Sequence, residues 1–373
     1  MINRDIVSQL RSDFGSGKVL VVLGPRQTGK TTVLNMLAED ANDVYRLNCD
    51  DYDDALRLTH RTSTDLRQLA EGYQLLLIDE AQRVEDIGMT LKMLADLHLP
   101  VQIVVTGSSS LELANKINEP ATGRLFEYAL YPLSTHEMVR HTSQRDEQRL
   151  LETRLIYGFY PEVVTNYADA KRILMQIANS HLYKDLLGYQ GIKRPELLQK
   201  LVRALALQVG SEVSYNELSN LLGADRGTIE SYIRLLEQCF VVFRLESLSR
   251  NMRNEIKRGR KIYFYDNGIR NALINNFAPP ELRTDTGALW ENMMISERRK
   301  RNARLGRYAN IYFWRTVEQQ ELDLIEEEDG RLVSFEFKWN EKKHAKQPLS
   351  FARNYPDTPF QCITPANYMD FVQ

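Results

Sequence analysis

The sequence has little of what marks secreted, zinc-binding or membrane-spanning proteins. Only three of its 373 residues are cysteine, and their scattered positions predict neither a disulfide framework nor a zinc site. No apolar run approaches the roughly 20 residues that a membrane-spanning helix needs. The first residues, MINRD, include an acid where a secretory signal would carry basic residues. We therefore expect a cytoplasmic protein that does not enter a membrane.

An excess of charge of one sign is also lacking, because the net charge is only -2 at pH 7. Positive charge is nevertheless concentrated in the C-terminal half. The two basic clusters are Arg250, Arg253, Lys257, Arg258, Arg260 and Lys261, and Arg298, Arg299, Lys300, Arg301, Arg304 and Arg307. Each could neutralise nucleic-acid phosphates, or form an ordinary solvated helix face. DNA or RNA is therefore one predicted partner, and another protein is the alternative.

A phosphate-binding motif lies near the N-terminus. Residues 18–23, KVLVVL, are typical of a buried parallel strand, and the next segment fits G-x-x-x-x-G-K-[ST] before a helical pattern. Glycines there let backbone N–H groups turn toward phosphates. We expect Lys30 to reach the β- and γ-phosphates of ATP and the Thr31 hydroxyl to bind Mg²⁺. The predicted ATP-binding residues are Gly24, Pro25, Arg26, Gln27, Thr28, Gly29, Lys30, Thr31, Thr32 and, from a later strand, Ser108.

Two carboxylates follow a second apolar run. Residues 75–78, LLLI, predict a strand buried on both faces, and Asp79 and Glu80 come next. We expect Asp79 to hold Mg²⁺ and Glu80 to polarise the attacking water. A third strand over residues 101–106 brings a small hydroxyl, Thr106 or Ser108, that could sense the γ-phosphate or cap the next helix.

Several segments together resemble a known group. They are GPRQTGKTT at residues 24–32, LLLIDEAQ at 75–82, VTGSSSLEL at 105–113, GRLFEYALYPLSTHE at 123–137 and YGFYPEV at 157–163. The sequence resembles prokaryotic AAA+ ATPases that carry a C-terminal domain of unknown function with a nuclease-like fold. The resemblance implies ATP and Mg²⁺ as cofactors. It also implies that Arg124 is an arginine finger, which would need a homo-oligomer if it acts in trans. Arg26 is a second candidate, and an exposed ion pair is the alternative for both.

The middle of the chain predicts a helical connector. The polar run HTSQRDEQRL at residues 141–150 indicates a domain boundary. Ser214 and Glu217 are spaced as a capping box, residues 228–239 predict a second helix, and residues 240–245 predict a β-wing. Such a winged helix occurs in DNA-binding, protein-binding and purely structural modules.

The C-terminal third contains a nuclease-like set of residues. Glu336 and Lys338 lie on one side of an alternating strand, and the turn at residues 329–330 joins that strand to another carrying Asp323. Glu291 lies on an amphipathic stretch over residues 288–295. The set resembles PD-(D/E)xK nucleases, so Asp323 and Glu336 are predicted metal ligands, with Glu291 and Lys338 as catalytic partners. A cross-strand ion pair without catalysis is the alternative.

These patterns predict an α/β chain of three domains. They are a P-loop AAA+-like parallel-sheet ATPase domain over residues 1–140, a helical and winged-helix domain over 141–250, and a small α/β restriction-endonuclease-like domain over 251–373. The expected function is a Mg²⁺-dependent ATPase whose nucleotide state controls nucleic-acid or partner binding by the C-terminal domain. The alternatives are an ATP-dependent nuclease, and an ATP switch that binds a protein without nucleic acid.

Overall fold

The computed structural model describes residues 1–39, 41–108, 121–181, 192, 194–248, 259–316 and 318–373. The chain divides into two compact units. Unit 1 comprises Met1–Pro132, His181–Lys193 and Gln238–Phe240, and unit 2 comprises Leu133–Ser180, Arg194–Glu237 and Val241–Gln373. In the described residues, no helix has the length and apolar character required to cross a bilayer.

Unit 1 is built on a five-stranded parallel sheet in the order β2-β3-β4-β1-β5. Its elements are α1 (Ile6–Ser12), β1 (Val19–Gly24), α2 (Lys30–Ala38), β2 (Val44–Asn48), α3 (Tyr52–Leu56), α4 (Ser63–Ala70), β3 (Leu75–Asp79), a 3₁₀ turn (Ala81–Arg83), α5 (Ile87–Asp96), β4 (Gln102–Ser108) and β5 (Leu125–Ala129).

The apolar runs explain this sheet. Strands β1 and β3 are buried along their whole length, as a parallel sheet covered by helices on both faces requires. Leu20 of β1 belongs to a core with Leu10 of α1 and Leu37 of α2, whereas its neighbour Val21 belongs to a second core with Leu91 of α5. Successive side chains of a strand point to opposite faces, so one strand serves both helical layers. The predicted P-loop fold is confirmed.

Unit 2 contains a seven-stranded mixed sheet in the order β12-β11-β10-β9-β7-β8-β6. The helices before the sheet are α6 (Thr135–His141), α7 (Gln144–Arg149), α8 (Leu151–Tyr157), α9 (Pro161–Thr165), α10 (Ala170–Gln176), a π-helical turn (Ile177–His181) and α11 (Pro195–Leu207). The remaining elements are β6 (Glu212–Val213), α12 (Tyr215–Leu222), α13 (Arg226–Gln238), β7 (Val242–Ser247), β8 (Arg260–Phe264), α14 (Asn267–Leu273), α15 (Thr286–Arg304), β9 (Asn310–Arg315), β10 (Glu321–Glu328), β11 (Arg331–Phe337), α16 (Leu349–Asn354), β12 (Phe360–Ile363) and α17 (Tyr368–Val372).

The polar run at residues 141–150 contains α7 and lies inside unit 2. Glu147 is buried and accepts two hydrogen bonds of 2.9 Å from the Arg154 guanidinium of α8. Leu133 already belongs to unit 2, where its N–H donates to the Phe159 carbonyl. A buried bidentate ion pair satisfies charges that look solvated in the sequence. The first segment of unit 1 ends at Pro132, and the predicted domain boundary at residue 140 stays a prediction.

The predicted helix–turn–helix is present, but the strand after it is not a separate wing. Ser214 caps α12 by accepting from the Glu217 N–H, and α13 follows. Strand β7 then pairs antiparallel with β8 and parallel with β9, which makes it an interior strand of the unit 2 sheet. The predicted division at residue 250 therefore cuts between two hydrogen-bonded strands. The three-domain organisation stays a prediction.

Candidate functional site

The predicted phosphate-binding loop connects β1 to α2 in unit 1. Gly24 ends β1, where a Cβ would lie 2.3 Å from the Leu130 carbonyl oxygen of the neighbouring segment, so only glycine fits. Gly29 has φ 91°, a left-handed conformation that glycine adopts without strain. Between them the Thr28 hydroxyl donates to the Pro25 carbonyl at 2.8 Å. The loop is thus held in a compact turn that ends at the N-terminus of a nine-residue helix.

Lys30 is the first residue of α2, and its buried ammonium faces the loop. Its Nζ lies 3.2 Å from the carbonyl oxygens of both Gly24 and Pro25, and 3.9 Å from Glu80 Oε1. The two hydrogen-bonding carbonyls are neutral, so they orient the ammonium without cancelling its charge. This arrangement suits a lysine that attracts an anionic ligand.

Asp79, at the end of β3, is held by hydroxyls from two other elements. Thr31 Oγ1 donates to Asp79 Oδ2 at 2.6 Å, and Thr106 Oγ1 of β4 donates to Asp79 Oδ1. Thr106 also accepts from the Glu80 N–H at 3.2 Å. Strand β4 lies between β1 and β3, which explains why its hydroxyl reaches the acid.

Glu80 follows Asp79 in a left-handed conformation, with φ 52° and ψ 42°. Such a backbone is uncommon for a residue other than glycine and often occurs at functional sites. One carboxylate oxygen accepts from the Gln82 side-chain amide, while the other lies 3.9 Å from the Lys30 ammonium. The side chain therefore lies beside the loop, as the predicted role of water activation requires.

Sequence reasoning missed Arg4, which fastens the loop from outside the motif. Its buried guanidinium donates to the Thr28 carbonyl and, at 2.7 Å, to the Tyr131 carbonyl. These two carbonyls belong to the phosphate-binding loop and to the segment after β5. No local signal marks Arg4, because both partners are more than 20 positions away in sequence.

Arg124 lies at the end of the sheet where β1 begins, and the phosphate-binding loop lies at the opposite end, where β1 ends. Its carbonyl accepts from the Val19 N–H, at the beginning of β1, whereas the loop follows the end of that strand. At about 3.3 Å per residue, this six-residue strand separates the two edges by roughly 15–20 Å. The guanidinium pairs instead with Asp96 at 2.5 Å. The structure thus shows the exposed ion pair, and a finger acting on the same domain's loop does not fit.

The other predicted ATP-site residues lie in the loop, in α2 and at the end of β4. Gly24, Pro25, Arg26, Gln27, Thr28 and Gly29 form the loop, and Lys30, Thr31 and Thr32 begin α2. Ser108 ends β4 opposite Gly24. Its side chain, Ser109 and Ser110, and the predicted helix at residues 111–117 lie outside the described residues.

A second charged centre lies in unit 2, at the residues predicted from the nuclease pattern. Lys338 Nζ donates to Glu336 Oε1 at 2.6 Å, and Asp323 Oδ2 accepts from the Phe337 N–H at 2.8 Å. The second oxygen of Glu336 is buried, and none of the described residues donates a hydrogen bond to it. The predicted turn is confirmed, since Asp329 and Gly330 connect β10 to β11 with positive φ angles.

Lys261 of β8 is the member of this centre that sequence reasoning did not assign to it. Its buried ammonium lies 3.0 Å from Glu291 Oε1 and 2.5 Å from Glu321 Oε1. The Tyr263 hydroxyl also donates to Glu291, at 2.5 Å. The sequence contains no local signal for these contacts, because β8 is separated from β10 in the sheet by two strands.

Burial and mutual repulsion shift the pKa values of this centre. Burial, followed by the charges of Glu291 and Glu336, raises the pKa of Asp323 well above its usual range. Burial also raises the pKa of Glu336, against the opposing effect of Lys338. For Lys261, burial alone would lower the pKa, but the nearby Glu291, Asp323 and Glu321 raise it overall. The carboxylates are therefore crowded, and Lys261 is held in its charged form.

These contacts do not arrange the predicted ligands as a metal site. Across the part of the chain that the structure describes, no three His, Cys, Asp or Glu side chains are arranged to hold a metal ion. The reason is visible in the ion pairs: Lys338 takes one oxygen of Glu336, and Lys261 takes Glu291. Asp323 and Glu336 thus lie in one centre, but their role as Mg²⁺ ligands stays a prediction.

The comparisons with known proteins agree with the geometry of unit 1. Residues 16–139 match the AAA domain family. A solved structure, the Walker-type ATPase PABY2304 of Pyrococcus abyssi, is 15% identical and aligns with a TM-score of 0.52 over 74% of this chain and 96% of that one. At this identity the likeness shows the fold alone. We use the name AAA domain for this matched segment, residues 16–139.

The region after the AAA domain matches families without a described activity. Residues 148–279 and 286–367 each match a domain of unknown function, DUF8612 and DUF4143. An uncharacterised protein of Mycobacterium tuberculosis is 27% identical over 90% of this chain and 73% of its own length. An uncharacterised Haemophilus influenzae protein is 31% identical over 52% of this chain and 51% of its own length. The AAA domain is therefore the part whose chemistry can be argued.

Proposed function

We propose that the AAA domain binds MgATP and hydrolyses it. The observation that carries this proposal is the 2.6 Å hydrogen bond from the Thr31 hydroxyl to Asp79. It joins the phosphate-binding loop to the acid after β3, the two elements that share Mg²⁺ in P-loop ATPases. Thr31 is exposed and Asp79 is buried, so the hydroxyl is accessible while the carboxylate is held by Thr106.

The residues of the loop fit a triphosphate. Backbone N–H groups at the N-terminus of α2 carry partial positive charge, and the Lys30 ammonium adds a full charge beside them. Bound Mg²⁺ would supply further charge neutralisation on the phosphates, with Thr31 and Asp79 as the residues that hold it. Arg4 keeps the Thr28 carbonyl in place, so the loop is prepared for the ligand before binding.

Glu80 is proposed as the general base. As the oxygen of water forms its bond to the γ-phosphorus, the bond to the bridging oxygen of ADP breaks, and Glu80 accepts the proton of the water. Gln82 and the Glu80 backbone, itself tied to Thr106, orient the carboxylate. The products are ADP and inorganic phosphate, so atoms and charge balance without a further reactant.

We further propose that the nucleotide state of the AAA domain controls binding of a nucleic acid or a protein by unit 2. Support comes from the presence of both units in one chain and from the charged centres of unit 2. ATP turnover that rises on adding DNA or RNA favours a nucleic-acid partner. Turnover that is unchanged by either favours the protein-binding switch.

The test of the ATPase proposal compares two lysine variants in a phosphate-release assay. Lys30→Ala should lower turnover on the order of 100-fold, and Glu80→Gln should lower turnover while retaining ATP binding. Lys92→Ala removes a lysine of α5 outside the loop and should behave as the unchanged protein. If Lys30→Ala binds and hydrolyses ATP normally, the assignment of the site is wrong.

An ATP-dependent nuclease is a second candidate, favoured by the proximity of Asp323, Glu336 and Lys338. The pairing of Lys261 with Glu291 counts against it, because an internal cation already neutralises part of the carboxylate set. Mg²⁺-dependent cleavage that Asp323→Ala abolishes and Lys338→Ala weakens would support this candidate. Unchanged cleavage in Asp323→Ala would assign the activity to a contaminant and remove the candidate.

Arg124 carries a proposal about assembly. Arg124 lies at the end of the sheet opposite its own phosphate-binding loop. A role as an arginine finger therefore requires a second copy of the chain. ATP turnover per molecule should then rise with protein concentration, and Arg124→Ala should remove that rise while leaving nucleotide binding intact. Turnover per molecule that is independent of concentration would leave Arg124 with its ion pair to Asp96 alone.

A further inference from the structure

A cavity of about 820 Å³ in unit 2 is lined by side chains of α15, β10, β11, β12 and α17. It contains Arg298, Arg301 and Arg307 from the second basic cluster, together with Glu326 and Glu328 of β10. In the sequence, the residues of that cluster form one basic run. The structure instead separates the three arginines of the cavity into two that are paired and one that is not.

Arg298 and Glu326 satisfy each other. Arg298 Nε and Nη2 donate to the two oxygens of Glu326 at 2.8 and 2.6 Å, and its Nη1 donates to the Phe371 carbonyl. Asn302 donates to Glu326 as well, at 2.8 Å. This carboxylate is buried and already accepts three hydrogen bonds, so it is not free to turn to another arginine.

The second glutamate of the cavity is also occupied. Arg307 Nε donates to both oxygens of Glu328, at 3.2 and 3.0 Å, and its Nη2 donates to the same carboxylate. Bidentate pairing of this kind fixes both side chains. Two of the three inner arginines are therefore neutralised by a glutamate of their own.

Arg301 is left with a surplus charge. In the described part of the molecule, its Nε and Nη1 are both buried and have no hydrogen-bond partner. Burial lowers the pKa of its guanidinium, and the charges of Arg298, Arg307 and Arg304 lower it further, whereas the charge of Glu326 raises it. A partly desolvated cation without a partner is unfavourable, and an anionic ligand in the cavity would offset its charge.

We propose that this cavity is a phosphate-binding site with Arg301 as its central ligand. The planar guanidinium presents a fork of donors that matches a phosphate. The volume is that of a small-molecule site, so it has room for the free ion and for a phosphate that is carried on a larger body. The other charged lining residues, Asp329, Arg331 and Asp370, are exposed to solvent, where their fields are screened.

This inference rests on the part of the proposed function that gives unit 2 a ligand of its own. It is independent of ATP hydrolysis, which Lys30→Ala tests. Two sources of the phosphate have the same chemistry at Arg301: a 5′-phosphorylated nucleic-acid end, and a small phosphorylated molecule or free phosphate. The experiment separates them by the probe.

The full chain is saturated with MgADP, so that the AAA domain is filled, and titrated with inorganic phosphate by calorimetry. Fluorescence anisotropy then compares a 5′-phosphorylated deoxyoligonucleotide with its 5′-hydroxyl counterpart. Arg301→Gln should weaken phosphate binding about tenfold or more. Arg172→Gln removes an exposed arginine of unit 2 (78% exposed) and should leave the affinity within about twofold.

Preference for the 5′-phosphorylated strand, lost in Arg301→Gln, assigns the site to a nucleic-acid end. Binding of inorganic phosphate without that preference assigns it to a small phosphorylated ligand. Tryptophan fluorescence checks that Arg301→Gln is folded, and Arg301→Lys, which keeps the charge but not the fork, should show an intermediate loss. The proposal is overturned if Arg301→Gln binds phosphate as the unchanged protein does, if no binding occurs up to about 10 mM phosphate, or if acetate binds equally well.

Discussion

At the residue scale, the two buried lysines Lys30 and Lys261 differ in what surrounds them. Lys30 donates to neutral carbonyl oxygens of its loop, and its ion pair with Glu80 is long, at 3.9 Å. Lys261 is paired with the carboxylates of Glu291 and Glu321, and its charge is already used. One lysine is therefore arranged for a ligand, whereas the other stabilises the fold of unit 2.

Lys261→Met should destabilise unit 2. Removing the ammonium leaves Glu291 and the neighbouring carboxylates without their cation, and breaking a buried ion pair costs about 3–5 kcal/mol. Urea unfolding followed by tryptophan fluorescence measures the change in the free energy of unfolding. Lys342→Met, at an exposed lysine, is the control. A loss for Lys261→Met no larger than the control's would show that the pair contributes nothing to stability.

Asp323→Asn should have the opposite effect, and the effect should depend on pH. Because the folded-state pKa of Asp323 is raised, its contribution to stability is fully present below the unfolded-state pKa and is lost as the pH rises through the folded-state pKa. Asparagine keeps an acceptor for the Phe337 N–H and cannot ionise. We expect the variant to be more stable by about 1 kcal/mol at pH 8 and to differ little near pH 4.

The same urea titrations at the two pH values test this. A loss of stability at pH 8 would mean that the ionised carboxylate is required, as it would be for a cation-binding ligand. The direction of the change therefore separates a crowded acid from a metal ligand without an activity assay.

At the scale of elements, α15 connects the sheet of unit 2 to the charged cavity. Most of its 19 residues are buried, and two of its polar side chains, Asn292 and Ser296, hydrogen-bond to backbone groups of β8 and the residue after it. Asn292 accepts from the Phe264 N–H at 2.7 Å and donates to the Phe264 carbonyl at 3.0 Å. Strand β6 pairs only with residues 260 and 261 of β8, so the amide of Asn292 takes the place of a strand at the rest of that edge.

Asn292→Leu should therefore destabilise unit 2 through the end of β8. Leucine has a similar volume but leaves a buried backbone N–H and carbonyl without partners, which costs about 2–4 kcal/mol in total. Chemical denaturation gives the free energy, and faster amide hydrogen exchange at Phe264 gives the location. Asn354→Leu, at an exposed asparagine, is the control. Unchanged exchange at Phe264 would contradict the proposed role of Asn292.

At the scale of the whole molecule, the two units can be followed by separate measurements. The three tryptophans of the chain are Trp290, Trp314 and Trp339, and all of them lie in unit 2. The nucleotide site lies in unit 1. A ligand that binds only the folded state raises stability by mass action, about 2.7 kcal/mol at 100 times its dissociation constant.

MgADP should therefore slow amide hydrogen exchange in residues 19–39 and 75–82 and leave that of the β9, β10 and β11 segments unchanged. MgADP should raise the free energy of unfolding measured by tryptophan fluorescence by less than it raises the free energy of amide exchange in unit 1. In Lys30→Ala the protection should disappear, while in Lys92→Ala it should persist. Equal protection of both units by MgADP would show that they unfold as one cooperative body.

Local chemistry explains which parts of the fold are readable from the sequence. The phosphate-binding loop is a run of adjacent residues whose backbone binds the ligand, and the strands of its sheet are continuous apolar runs. Capping residues and hydrophobic periodicity are also local signals, so they predict the helices α12 and α13. The β-wing was not predictable as an interior strand, because pairing of β7 with β9 joins residues more than 60 positions apart.

The sequence by itself determined the P-loop fold, the acids at the end of β3, and the presence of Asp323, Glu336 and Lys338 in neighbouring segments. Only the tertiary structure decided what these residues face. Strand order brought Thr106 to Asp79, placed Arg124 at the edge opposite the loop, and set Lys261 among the carboxylates. The tertiary structure also paired Arg298 with Glu326 and Arg307 with Glu328, and left Arg301 in the cavity. The physical reason is that a motif records which charges are near in sequence, whereas burial and ion pairing depend on which charges are near in space.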